Sequence, residues 1–203
     1  TNYDDHMEIR IHSDPGSSDY MDNMCEDANS WVSQEISVNA SSDDAEENTS
    51  GSVGLTSSDL ELISDSGTNQ EVGMRFTGVN VPQGATITRA HIEFEVDELD
   101  SGATSVTFWG EDNDDAVTFD GTTNKVTTRT KTTASADWTS IHNWDVTNIQ
   151  HRSPDLSAIV QEIVDRGGWL SGNSIAFIVT GSGERTAESY DGEQAAAPKL
   201  VVC

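Results

Sequence analysis

The 203-residue chain is expected to fold as an all-β, jelly-roll-like antiparallel β-sandwich with one short helix and an N-terminal strand-forming extension. Three observations predict this. Apolar and polar residues alternate in short runs separated by proline, glycine, asparagine and aspartate, which is the signature of strands joined by turns. Helical spacing of apolar residues occurs convincingly in one place, from Ser153 to Arg166. Ahead of the first sandwich strand lies an acidic arm, and within it His6-Met7-Glu8-Ile9-Arg10-Ile11-His12 places Met7, Ile9 and Ile11 in strand alternation. The length suits one large sandwich plus an extension, so residues 1–30 are read as an arm carrying a possible donor strand and 31–203 as the module.

Trp31 to Val38 begins the module, with Val32, Ile36 and Val38 in phase, and Asn39 to Ser52 reads as an acidic loop. Leu60-Glu61-Leu62 is a short strand. Val72, Met74 and Phe76 alternate with Gly73 and Arg75, and Val81-Pro82-Gln83-Gly84 then makes a turn, proline presetting one dihedral and glycine accepting positive φ. The clearest strand has Ala90, Ile92, Phe94 and Val96 facing the core and His91, Glu93 and Glu95 facing water. Val106 and Phe108 open another strand, ended by Glu111-Asp112-Asn113-Asp114-Asp115. Threonine-rich stretches over Val126–Thr133 and Ile141–Val146 are expected to add strands. The helix is expected over 153–166, with Ser153 as N-cap, Pro154 in the first turn and Gly167-Gly168 stopping it, while Leu156, Ile159, Val160, Ile163 and Val164 form its apolar stripe. Ile175–Val179 and Lys199–Val202 supply the last strands.

Thirty-six acidic residues against ten basic ones give a formal net charge of −26, so nucleic acid and anionic membrane surfaces are not expected as partners, because like charge repels them. Cations are the natural counterpart, beside the plainer role of an acidic coat suited to salty water. No segment has the roughly 20 consecutive apolar residues a membrane-spanning helix needs, and no membrane insertion is expected. A start at Thr1 without methionine reads as a processed, secreted chain. Cys25 and Cys203 are the two cysteines, and a disulfide between them would tie the arm to the end of the last strand; free thiols or a bridge between subunits are the alternatives. Asn39-Ala40-Ser41 and Asn48-Thr49-Ser50 fit the N-glycosylation pattern.

Two acidic clusters are candidate metal sites, Asp43, Asp44, Glu46 and Glu47 in one loop and Glu111, Asp112, Asp114 and Asp115 in another. Calcium takes six to eight oxygen ligands from flexible loops, although neither cluster follows EF-hand spacing, and solvated loops are the bland alternative. Glu188 and Asp191 are further oxygen donors near the last strand. Trp109, Trp144 and Tyr190 are candidates for stacking on sugar rings. Trp109 is the best of these, because Phe108 beside it points to the core and neighbouring strand residues face opposite ways. None of the five histidines sits in a metal-type pair such as HExxH, and Gly181-Ser182-Gly183 lacks the frame of a nucleophile elbow. An enzyme is not expected.

Ser42-Asp43-Asp44-Ala45-Glu46-Glu47, Met74-Arg75-Phe76, the run from Pro82 to Phe94, Glu188-Ser189-Tyr190-Asp191-Gly192 and the run from Ala197 to Val202 together resemble secreted DNRLRE-type modules, β-sandwiches grouped with carbohydrate-binding module family 96. The resemblance covers about Trp31 to Val202 and implies an extracellular or cell-surface, non-catalytic role beside adhesive or polysaccharide-degrading domains. The arm is this chain's addition and favours a structural use of the same sandwich. The expectation is therefore a calcium-stabilised subunit that forms a homo-polymer by adding Met7–Ile11 to a neighbour's sheet. Recognition of an extracellular polysaccharide is the alternative.

Overall fold

The structure, a computed structural model, describes residues 33–123 and 125–203. Its elements follow the alternation in order: β1 (Gln34–Ser37), β2 (Asp44–Asn48), β3 (Val53–Gly54), β4 (Asp59–Glu61), β5 (Ser64–Asp65), β6 (Thr68–Phe76), β7 (Ala90–Glu95), β8 (Ser105–Glu111), β9 (Lys131–Trp138), β10 (Gln150–Arg152), α1 (Ser157–Val164), β11 (Ile175–Ser182), β12 (Thr186–Glu188) and β13 (Lys199–Val202). One sheet has the order β1-β13-β7-β10, and the other β3-β2-β6-β11-β8-β9 with β5 pairing beside β6. β4 and β12 form a separate two-stranded ribbon. Every strand pairing between named strands is antiparallel, so the described residues form an all-β sandwich with one short helix.

Between the sheets, Ile92 and Phe94 of β7 and Leu200 of β13 meet Val72, Met74 and Phe76 of β6, Phe108 of β8 and Phe177 of β11 in one core. Phe94 and Phe108 lie 6.4 Å apart across the sheets. The outer face of the larger sheet is covered as well. Ala45, Ala176 and Ile178 alternate with inward residues and pack with Ala116, Phe119 and Val126. The chain between β8 and β9 thus wraps over this face, and a Cβ at Gly73 would stand 2.5 Å from the Phe119 ring, so only glycine fits beneath it.

Several local expectations are corrected. The stretch read as a loop from Asn39 to Ser52 contains β2, whose acidic side chains hide its strand character. Val126 is buried in the second core without belonging to a strand, and Lys131 is the first residue of β9. Ile141–Val146 forms only an isolated bridge between Trp144 and Asp100. α1 covers Ser157–Val164, shorter than 153–166, and Ser153 is not its cap. The Ser153 hydroxyl accepts from Ile92 N–H and donates to the Pro154 carbonyl, while Asp155 Oδ1 accepts Ser157 N–H. Finally, His91 and Glu93 are buried instead of wet. Glu93 draws Lys199 Nζ to 2.8 Å and Arg152 Nη2 to 3.1 Å, and these long side chains lie over the sheet. The His91 imidazole, its Nε2 3.6 Å from Glu93 Oε1, then Lys199 and Arg152, hold the Glu93 carboxyl down to about 2 against the opposing effect of burial.

Candidate cation site and the acidic edge

Register decides what the acidic residues do. Asp44 stands opposite Met74 and Glu46 opposite Val72, so these two carboxyls share the inward face of the larger sheet near its end, while Ala45 and Glu47 face out. The inward pair meets the β4–β12 ribbon and the turn after it. Tyr190 N–H donates to Asp44 Oδ2 at 2.8 Å. Burial raises Asp44 to about 6, and the charges of Asp191 and Asp43 add to it. Glu46 Oε1 accepts Glu61 N–H at 2.8 Å and Gln70 Nε2 at 2.9 Å, and Gln70 Nε2 also reaches Glu61 Oε2 at 3.2 Å. Burial first, then a carboxyl–carboxylate hydrogen bond with Glu61, pushes Glu46 well above the ordinary range, so it holds its proton at neutral pH. Glu46 and Gln70 line a cleft of about 400 Å³ together with Asn48, Ser52, Asp65 and Thr68.

The outward residues are tied to arginine and to backbone. Asp43 pairs with Arg75 at 2.8 Å. Glu47 accepts Thr127 N–H and Oγ1–H, both at 2.8 Å. In the second predicted cluster, Glu111 pairs with Arg129, Asp112 and Asp114 both pair with Arg166, and Asp115 accepts Ser174 N–H at 2.8 Å. The two predicted clusters are therefore divided among different partners, each carboxylate anchoring the covering segment or a strand end.

A different set of carboxylates converges. β4 pairs with β12 so that Asp59 stands opposite Glu188, and Asp97 N–H donates to Thr186 O just beyond β7. This places one oxygen each from Asp59, Asp97 and Glu98 within 4.8 Å of one another. Two oxygens on one calcium ion, each at about 2.4 Å, stand at most about 4.8 Å apart, so the spacing of this set allows it to supply three of the six to eight oxygens that ion takes. Glu188 belongs to the same surface. Its carboxyl is raised to about 7, chiefly by burial, then by the charge of Asp97 and a hydrogen bond with it, with Glu95 and Glu193 contributing. Gly192 closes the ribbon's turn, where a Cβ would collide with the Ser58 carbonyl and crowd Glu188. Sequence reasoning named Glu188 but missed Asp59, Asp97 and Glu98, which come from two stretches nearly 40 positions apart with no motif joining them.

The loops behind this surface are held by Arg185, which is fully buried. Its guanidinium donates to the carbonyls of Ile141, His142, Gly102 and Glu184 and to Thr104 Oγ1. All five donors of the group are thereby used.

Among the aromatic candidates, Trp109 does face away from the core, as Phe108 is buried, but Lys131 Nζ sits 4.6 Å from its ring centroid. Trp144 is corrected: it is 1% exposed and stacked on His151, so it offers no face to a sugar. Tyr190 packs half-buried against the main core. Asn39 and Asn48 are both exposed. Cys203 is disulfide-bonded, whereas Cys25 and the segment Met7–Ile11 lie outside the described residues. No helix among the described residues is long and apolar enough to cross a membrane.

No protein-family model and no curated protein sequence matches this chain. The resemblance to DNRLRE-type modules accordingly rests on the residues quoted for it.

Proposed function

We propose that this protein is an extracellular, non-enzymatic structural or adhesive subunit that self-assembles by adding the strand-forming segment Met7–Ile11 to a neighbour's sheet, with calcium bound on its acidic surface. One observation carries the reading: Met7, Ile9 and Ile11 alternate with polar residues in an acidic stretch ahead of the sandwich, the pattern of a strand with one apolar face. Three alternating apolar residues suit a strand that adds to a sheet edge, where backbone hydrogen bonds supply affinity and side chains set register. The disulfide at Cys203 agrees with an oxidising compartment. Calcium enters through Asp59, Asp97 and Glu98, where neutralising crowded carboxylates offsets their mutual repulsion.

Assembly is favoured over glycan recognition because a stacking platform needs exposed aromatic faces. Among the described residues the exposed large hydrophobics are Leu99, Val117, Val146, Ile149 and Leu170, all aliphatic. The test is electron microscopy and size-exclusion chromatography of the full chain and of Ile9→Asp, each with calcium and with chelator. Filaments that vanish in Ile9→Asp support strand addition; identical polymers from both chains refute it. A monomer that binds polysaccharide through Trp109 would establish the glycan reading instead.

A further inference from the structure

Four strands end the two main sheets among the described residues: β1 and β10 in one, β3 and β9 in the other. They differ in what they offer an incoming strand. β3 is two residues long and β10 three. β1 has four, but its inward residues are closed off, Ile36 at 8% and neighbouring Val38 at 1% exposure. β9 has eight residues, and its inward row is Ala134, Ala136 and Trp138, each only partly buried against the main core. The core is therefore least covered along β9, where two alanines leave room for larger side chains and Trp138 stacks on Phe94 at 6.2 Å.

Only part of that edge is guarded. Glu162 of α1 accepts Thr133 N–H at 2.8 Å and Ala134 N–H at 2.7 Å, a carboxylate cap of the kind that blocks edge pairing. The cap stops there, and Ser135–Trp138 continues past the helix.

Resting on the strand-addition reading above, we propose that the uncapped half of β9, Ser135–Trp138, is the acceptor edge, and that its occupant is Met7–Ile11 of a second copy of this chain. A strand paired there puts one row of its side chains on the side of Ala134, Ala136 and Trp138, and the alternation of Met7, Ile9 and Ile11 supplies three large apolar groups for that row. Glu8 and Arg10 then face solvent. A second copy is favoured by where the outside segment joins the fold. Residues 1–32 connect at Ser33, next to β1, at the opposite end of its sheet from β10. Phe94 of β7, the strand next to β10, stacks on Trp138 of β9, so the acceptor lies on the far flank from that connection. Donor and acceptor on opposite flanks make a head-to-tail contact, which propagates into a filament unless its rotation closes a ring.

The experiment uses the full chain with the photo-crosslinker benzoylphenylalanine replacing Ile9, mixed as isotopically heavy and light copies and mapped by mass spectrometry. Adducts joining heavy to light chains at residues 134–138 are expected. Adducts at 34–37, adducts elsewhere, or none overturn the acceptor edge, and adducts confined to a single chain overturn the second copy as occupant. Ala136→Glu is measured alongside, with near-ultraviolet circular dichroism as the check on folding, and is expected to lose assembly. If Ile9→Asp abolishes assembly while a folded Ala136→Glu retains it, this edge is wrong and strand addition stands. Assembly that survives both, or a wild-type chain that never assembles, sinks the underlying reading as well.

Discussion

Arg185 illustrates how one side chain holds a site it never touches. Its five donors meet five acceptors on three stretches of chain, and burial lowers its pKa while Asp100 opposes that. Lysine keeps the charge but has three donors in a rotating head, so Arg185→Lys strands at least two buried acceptors. A cost of about 2–6 kcal/mol is expected at roughly 1–3 kcal/mol for each. Urea denaturation measures it, and an unchanged midpoint would show that water satisfies those carbonyls. Nothing in the sequence marks Arg185, because its partners at 102, 104, 141 and 142 are brought to it only by the fold. Trp109 is the contrasting case: its outward direction is legible from Phe108 beside it, yet the Lys131 ammonium that covers it comes from the paired strand.

Elements whose apolar residues alternate, β6, β7, β8, β11 and β13, are legible from sequence because the period of two is a local property. β2 is not, since its inward positions are Asp44 and Glu46, polar residues satisfied by partners from β4 and the turn after β12. α1 is legible in kind, but its start shifts to Ser157 because Ser153 bonds β7 instead. Asp155→Ala removes an acceptor for both Ser157 N–H and Ala90 N–H and is expected to destabilise by about 1 kcal/mol, as loss of a helix cap does. At β6, Gly73→Ala drives a methyl into the Phe119 ring and is expected to cost about 1–3 kcal/mol, the usual range for overpacking. Thermal unfolding decides both; a stabilised Gly73→Ala would mean that the covering segment packs loosely.

For the whole molecule, the acidic groups oppose one another across pH. Asp44 and Glu188, raised from 3.8 to about 6 and from 4.5 to about 7, keep protons in the folded state that the unfolded chain has released. Their stabilisation is full below about pH 4 and is lost as pH rises through about 6 and 7. Glu93, lowered from 4.5 to about 2, contributes above its unfolded pKa and loses that contribution as pH falls towards 2. In chelator the Tm is therefore expected to peak at about pH 4–5 and to decline towards neutrality. Glu188, on the same surface as the calcium set, holds its proton at about pH 5 and is charged at about pH 7.5, so calcium is expected to raise the Tm more at about pH 7.5 than at about pH 5. Equal shifts at both pH values, or none, would remove calcium from the proposed function. Assembly of copies each carrying −26 should also strengthen as salt is raised from about 10 mM to about 150 mM, where the Debye length shortens to about 8 Å. Light scattering follows that directly, and weaker assembly in salt would point to charge attraction as the driving force.

The sequence by itself determined the all-β class, the single helix, the inward rows of the central strands and a strongly anionic surface, because alternation, helical spacing and composition are properties of neighbouring residues. Tertiary structure alone decided which acids meet. Asp59, Asp97 and Glu98 converge because β4 pairs with β12 and the chain beyond β7 bonds to that ribbon, bringing together residues nearly 40 positions apart. Strand pairing is a long-range choice made by the whole core, so the partners of a carboxylate, and with them its charge, are not written beside it.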